Sequence, residues 1–383
     1  MVQRAGGAFW REVILLGVGR LVHVNGEIDK PSAVLEELCP VEPLGSEVEA
    51  RQTALAGEVL LEMGSHRLEE RQRGQSLGDR VRQQLVRLLQ SGYLSAVERA
   101  RAGDALARLG DPRFRADAWH LPGEPLLGFI EVPAGPFWMG SAERDEEADD
   151  DEKLLHQVTL PRYFIARYPV TVAQFQAFVA VTRYVWSYQY REQGEPTHPV
   201  VWVTWYDALA YGRWLGEVLG VDDATPEPLR TLLRDSGWQV TLPSEAQWEK
   251  AARGVEGQRC YPWGDRFEAE RVNSRDAGVR RTSAVGCFPQ GRSPYGCLDM
   301  AGNMWEWTRS LWGENALKPT FGYPYDAADG REDLQASNGV LHVLRGGAFD
   351  NDPSLVRCAF RFWDLARIAN YHFGFRVALS ALL

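Results

Sequence analysis

The stretch Asp299-Met300-Ala301-Gly302-Asn303-Met304-Trp305-Glu306-Trp307 sets the character of the sequence around it. Tryptophan, glycine and charged residues stand side by side, and the same texture runs through 128–383, where Trp, Tyr, Gly and Pro crowd together. Aromatics this dense pack only when neighbours hold them, so the region predicts an α+β domain of short strands and long ordered loops. Phe175–Phe178, Tyr206–Leu215 and Ala246–Arg253 read as short amphipathic helices.

Upstream the texture is different. Residues 1–120 predict a helical domain, because Ser46–Met63 and Gly78–Gln90 carry apolar residues at three- and four-residue spacing. Ser95–Gly110 opens on a Ser cap with Glu98 three positions on, and stops at Gly110-Asp111-Pro112. It looks like one unit of a helical-repeat array, with no second clear copy. Gly17-Val18-Gly19 reads as a glycine-interrupted helix or turn, since no third glycine or βαβ pattern follows. Residues 121–127 read as a linker.

Composition narrows the function classes. The chain has 383 residues and a formal net charge of -10, which argues against nucleic acid as the main partner. No apolar run approaches the ~20 residues of a membrane span, and no secretion signal opens the chain. Five scattered cysteines without a C-x-x-C pair predict reduced thiols and a cytoplasmic setting, with no structural zinc. Only four of the 42 basic residues are lysine, a bias that fits a GC-rich genome.

Separated motifs carry a family resemblance. Val132-Pro133-Ala134-Gly135-Pro136-Phe137-Trp138-Met139-Gly140-Ser141 is followed by Tyr168-Pro169-Val170-Thr171 and Val203-Thr204-Trp205-Tyr206-Asp207-Ala208. Then come Leu242-Pro243-Ser244-Glu245-Ala246-Gln247-Trp248-Glu249, Tyr261-Pro262-Trp263-Gly264 and Ser293-Pro294-Tyr295-Gly296, leading into Asp299–Trp307. Leu344-Arg345-Gly346-Gly347 and Gly374-Phe375-Arg376-Val377 close the series. Over 128–380 the chain resembles the formylglycine-generating enzyme (sulfatase-modifying factor) family. That resemblance implies an α+β, C-type-lectin-like fold with a small antiparallel sheet.

The resemblance also implies chemistry that can be checked against the residues. Oxidase members hold copper with two cysteines, but Ala348 and Pro353 stand in those places, and Cys358 reads as a buried core residue. Iron-dependent relatives need clustered histidines, whereas His23 and His66 are isolated. Neither copper nor iron is therefore expected. The family's calcium turn maps onto Asp299, Gly302, Met304 and Glu306, whose hard oxygens suit that ion. A second family calcium site maps onto Asn273 and Asp276. The acidic run Asp145–Glu152 reads as a solvated loop, with calcium chelation as the alternative.

Phe349–Phe373, between the last two motifs, is unlike its surroundings. Six of its 25 residues are Phe, Tyr or Trp, against 11% in the whole chain, and they follow neither a strand nor a helix period. Rigid rings mixed with Asp, Asn and His resemble a paratope. The arrangement resembles the variable region of diversity-generating retroelement variable proteins, whose adenine-directed mutagenesis excludes Met, Trp, Gln, Lys and Glu. These types fill 70 of the 383 positions but, within the tail, only Trp363.

The exposed, diversified set is then Phe349, Asp350, Asn351, Asp352, Ser354, Leu355, Phe360, Phe362, Trp363, Asp364, Leu365, Ile368, Ala369, Tyr371, His372 and Phe373. Val356, Cys358 and Ala359 are expected in the core, on a short strand matching one of the family. The reading is a non-catalytic bacterial ligand-binding protein with a protein or other ligand on this surface. The helices, which resemble those preceding this domain in large bacterial signalling NTPases, offer a contact for a signalling partner. The alternatives are a copper-dependent oxidase and a structural or signalling assembly module whose tail is core.

Overall fold

A computed structural model describes residues 8–64, 67, 72–191, 193–234 and 237–381. The N-terminal part is helical, as its apolar spacing predicts. Helix α1 (Ala8–Gly19) runs through Gly17 and passes into a π-helical turn at Arg20–Val24. Helices α2 (Asp29–Leu38), α3 (Glu47–Met63), α4 (Gln72–Ser91) and α5 (Ala96–Leu109) follow. The Ser46 hydroxyl caps α3 by accepting from the Glu49 N–H, and Ser95 and Glu98 form the expected capping box of α5.

This bundle does not close its core alone. Leu35, Val59, Leu60, Val81, Leu85 and Leu106 share one buried cluster with Ala284, Cys287 and Phe288 from far along the chain. Gly103 lets α5 approach that loop: a Cβ there would lie 2.7 Å from the Cys287 sulfur. Arg99, buried beside it, donates to the Cys287 carbonyl at 3.1 Å. The segment 121–127 corrects the linker expectation. Leu121-Pro122 (β2) pairs with Phe114-Arg115 (β1), while Leu121 and Leu127 are buried in the main aromatic core. Its Pro and Gly turns signalled irregular backbone, which says nothing of where the leucines point.

The remainder is an α+β, C-type-lectin-like fold. One antiparallel sheet has the order β3 (Phe129–Val132), β6 (Tyr163–Ala166), β12 (Ala378–Ala381), β7 (Trp238–Thr241). A hairpin joins β4 (Gly135–Met139) to β5 (His156–Leu160). A second sheet runs β10 (Phe362–Leu365), β9 (Leu341–Arg345), β8 (Trp305–Gly313), β11 (Phe373–Gly374), the last pair parallel. Helices α6 (Val172–Thr182), α7 (Trp205–Val221) and α9 (Glu245–Arg253) extend the three predicted short helices, each starting at a capping box. A further turn of helix, α8 (Leu229–Arg234), precedes β7. Between the sheets Phe175, Phe178, Tyr211 and Phe375 interlock edge to face at 5.4–6.2 Å. Because β12 lies between β6 and β7, the chain beyond the tail is locked into the sheet.

A candidate recognition surface

The tail leaves β9 through Gly346 and Gly347. At Gly347, with φ +73°, a Cβ would fall 2.6 Å from Val356, so the turn can close only without one. The tail then makes a 3-10 turn at Pro353–Val356, forms β10 against β9, and returns along β8 as β11. Val356, Cys358 and Ala359 are buried as expected, but on this turn and the bend after it rather than on a strand. The Cys358 N–H donates to the Cys260 carbonyl at 2.7 Å, and burial pushes the Cys358 thiol up to about 12.

Two arginines within the tail fix its path. Arg357 grips Glu152 with two bonds of 2.7 Å and donates to the Ser354 carbonyl at 2.8 Å. Arg361 grips Glu245 at 2.6 and 2.9 Å, and Arg345 joins the same carboxylate at 3.1 Å. Both carboxylates are wholly buried against their bidentate partners, and despite that burial Arg361 and Arg345 hold the Glu245 carboxyl below its ordinary range. Glu152 thereby corrects the reading of the acidic run as a purely solvated loop. Next to it, burial raises the Asp151 carboxyl to about 6.

Between these anchors most expected positions reach the surface to some degree. Asp352, Ser354 and Tyr371 are exposed; Asp350, Asn351, Leu355, Phe362, Trp363, Asp364, Leu365, Ile368, Ala369 and His372 are half-buried. Phe349, Phe360 and Phe373 are buried, against expectation. Phe360 lies 5.7 Å from Trp305, Phe373 meets Trp307 edge-on at 5.4 Å, and Phe349 sits 6.0 Å beneath Tyr371. Phe362 stacks on Trp305 at 4.9 Å and Trp363 leans on Trp312 at 6.1 Å, each with its outer part uncovered. The Tyr371 hydroxyl donates to Asp350 at 2.7 Å, while the other Asp350 oxygen is buried without a partner.

Three further residues complete the surface, and the sequence reading missed them. Trp202 has φ +59° and donates its N–H to the Asn370 carbonyl at 2.9 Å, which sets its ring 6.3 Å from Tyr371. Tyr188 stacks on Trp202 at 6.1 Å, and the Arg191 guanidinium stands 5.2 Å from the same ring. The run Trp186-Ser187-Tyr188-Gln189-Tyr190-Arg191 mixes rings with polar groups just as the tail does. That composition was the available signal. Trp202 and Arg191 line an open cleft of ≈ 850 Å³ together with Phe349, Tyr371 and, from α5, Arg108.

Several residues of the expected metal sites are engaged within the protein. Glu306 accepts from Arg376 at 2.6 and 2.7 Å and from the Trp248 indole at 2.8 Å. The same guanidinium binds the Leu298 and Asp299 carbonyls, and the Gly302 carbonyl accepts from the Met304 N–H. The positive charge beside Glu306 in this turn is Arg376. One Asp299 oxygen accepts from the Gly286 N–H, and burial raises its carboxyl to about 6. Asn273 is buried with its amide nitrogen committed to Arg281, Ser283 and Asn303 and its amide oxygen without a partner, whereas Asp276 is exposed. The oxidase positions hold Ala348, buried, and Pro353, on the 3-10 turn. The His23 ring donates to the Glu62 carbonyl at 3.0 Å; His66 lies outside the described residues.

Residues 119–381 match the family model for the sulfatase-modifying factor enzyme 1-like domain. The chain belongs to this family. Its family relatives include a formylglycine-generating enzyme of Thermomonospora curvata, 28% identical, with the alignment covering 68% of this chain and 96% of the relative. A serine/threonine-protein kinase, pkn1, of Chlamydia pneumoniae is 30% identical over 67% of this chain, but the match spans 38% of its own length. A hercynine oxygenase of Mycolicibacterium smegmatis is 28% identical over 61% of this chain and 57% of the relative. Among solved family folds, PvdO from Pseudomonas aeruginosa superposes with a TM-score of 0.50 and 26% identity, covering 66% of this chain and 94% of that one. Treponema denticola variable protein 1 gives a TM-score of 0.48 and 23% identity, covering 67% and 95%. Within the family frame, no helix among the described residues is long and apolar enough to cross a membrane.

Proposed function

We propose that this chain is a non-catalytic ligand-binding protein whose lectin-like domain displays a diversified recognition surface along 349–373. The observation that carries the reading is the division of labour within the tail. Buried ion pairs at Arg357 and Arg361 hold the backbone, so Asp350, Asp352, Phe362, Trp363, Asp364, Tyr371 and His372 can turn at least part of their side chains outward. Large rings and short polar groups on a fixed backbone suit binding at low entropic cost. The scarcity of the five excluded residue types favours diversification as its origin. Ala348 and Pro353 offer no thiolate for copper, which favours binding over oxidation. Five unpaired cysteines suit a reducing, cytoplasmic setting, and the N-terminal helices provide a contact for a signalling partner.

Randomising Asp350, Asp352, Ser354, Asp364, Ala369 and Tyr371 together tests the reading. Most members of such a library should stay soluble with melting temperatures near the parent, and selections should yield binders to unrelated targets. A library that is mostly insoluble would reject the surface. Incubation with copper, oxygen and a cysteine-bearing sulfatase peptide should give no aldehyde above a copper-only control; turnover would reinstate the oxidase.

A further inference from the structure

The cleft beside Tyr371 has unused hydrogen-bond donors. Three of its polar groups are already committed. Arg108 binds Glu195 at 2.7 Å, Arg281 binds Asp104 at 3.2 Å, and buried His198 holds Asp104 and Thr282 at 2.9 and 3.1 Å. Two are not. Among the described residues no carboxylate pairs with Arg191, which is exposed and meets only the Trp202 ring. Gln193 accepts from the Val201 N–H through Oε1, which fixes the amide, and its Nε2 is buried without an acceptor.

The aromatic side of the cleft is held under strain. A positive φ is rare for a residue as bulky as tryptophan, and such conformations persist where surrounding structure enforces them, commonly at ligand sites. Here the Asn370 carbonyl binds the Trp202 N–H, and the Trp186 indole donates to the Trp202 carbonyl at 3.1 Å. The result is an aromatic wall of Trp202 and Tyr371, their rings inclined at 54°, beside an unpaired guanidinium. Tyr190, 93% exposed, stands next to Arg191 in the chain.

We propose that this cleft binds a peptide segment carrying a carboxylate next to an aromatic side chain, with Arg191 reading the charge. The inference rests on the tail being a recognition surface and names what that surface takes. A carboxylate supplies the acceptors that Arg191 and Gln193 lack, and a charge-assisted bond to guanidinium is about twice as strong as a neutral one. The neighbouring ring packs on Trp202 and Tyr371, as aromatic pairs do at paratopes. Since Arg108 belongs to α5, the helical domain lines the same cleft and touches whatever fills it.

The test uses the full chain on an array of immobilised nonapeptides with Asp-Tyr, Lys-Tyr, Ser-Tyr or Asp-Ala at the centre. The Asp-Tyr peptides should retain the protein at least tenfold better than the other three sets. Arg191→Glu should invert the Asp over Lys order, Arg191→Lys should restore much of it, and Tyr371→Ser should lose ring preference. Melting curves confirm that these exposed substitutions leave the fold intact. Equal retention of Asp-Tyr and Lys-Tyr, or indifference to Arg191→Glu, overturns the charge assignment. If Tyr371→Ser still abolishes retention in that case, the recognition surface stands. No retention of any peptide overturns the peptide class, and the randomised library then decides the surface independently.

Discussion

Replacing Phe373 and Tyr371 by alanine, two residues apart in the same tail, separates scaffold from display. Phe373 is 1% exposed and packs edge-on against Trp307, so Phe373→Ala removes a fully buried ring and leaves a cavity. Changes of this kind cost roughly 3–5 kcal/mol. For a domain of this size each kcal/mol moves the melting temperature by roughly 2–4 °C, so a fall of roughly 6–20 °C is expected. Tyr371 is 44% exposed and its side chain has one hydrogen bond, to Asp350. Losing that bond and half a ring's cover costs about 1 kcal/mol, a shift of roughly 2–4 °C. Scanning calorimetry on both variants reads the contrast directly. Equal large losses would put Tyr371 in the core, and equal small losses would mean that the buried ring carries no load; either result refutes the reasoning.

Other consequences follow from the buried charges. Calcium and chelator should give identical melting curves, because Arg376 already neutralises Glu306, and Glu306→Gln should lose about 3–5 kcal/mol in urea unfolding by stranding that guanidinium. Arg361→Met should cost a similar amount, since Glu245 keeps only one bond to Arg345 in place of three to arginine. His342, buried against Trp205 at 4.3 Å, is lowered to about 4, so it favours the folded state when neutral. Its contribution is complete above about pH 6.5 and is lost as pH falls through about 4. Asp299, raised to about 6, has the opposite slope: its contribution is complete below about pH 4 and is lost as pH rises through about 6. Comparing the parent with His342→Gln at pH 4.5 and 7.5 isolates the histidine; a parallel pH response in both would reject its burial as the cause.

The helices and the lectin-like motifs were legible because both are local. Ser95 with Glu98 and Ser46 before an apolar stripe specify their helices from a few neighbouring residues. Phe349, Phe360 and Phe373 were misread because aromatic side chains serve core and surface equally, and burial depends on distant partners such as Trp305 and Trp307. Glu152 was read as part of a charged loop because nothing local announces an arginine 205 positions later. Glu306 matched a calcium turn in type and spacing, while its ion-pair partner Arg376 lies 70 positions on and nothing local announces it.

Under the proposed function, those ion pairs are what would let such a surface vary. A loop anchored by apolar side chains must keep its largest residues inside, and each exchange then opens a cavity. Here Arg345, Arg357, Arg361 and Arg376 reach inward to Glu249 and Glu245, Glu152, Glu245 and Glu306, all nearly or wholly buried. Charge burial is costly and demands geometry, so these pairs specify one backbone path more sharply than they stabilise it. With the path fixed by two arginines inside the tail and two flanking it, the half-buried Phe362, Trp363 and Asp364 between anchors are relieved of that task. Diversification that respects Arg357 and Arg361 can rewrite the exposed positions and leave the scaffold unchanged. Substitution at either arginine should therefore be rare among functional library members, whereas Asp352, Ser354 and Tyr371 should accept most residue types.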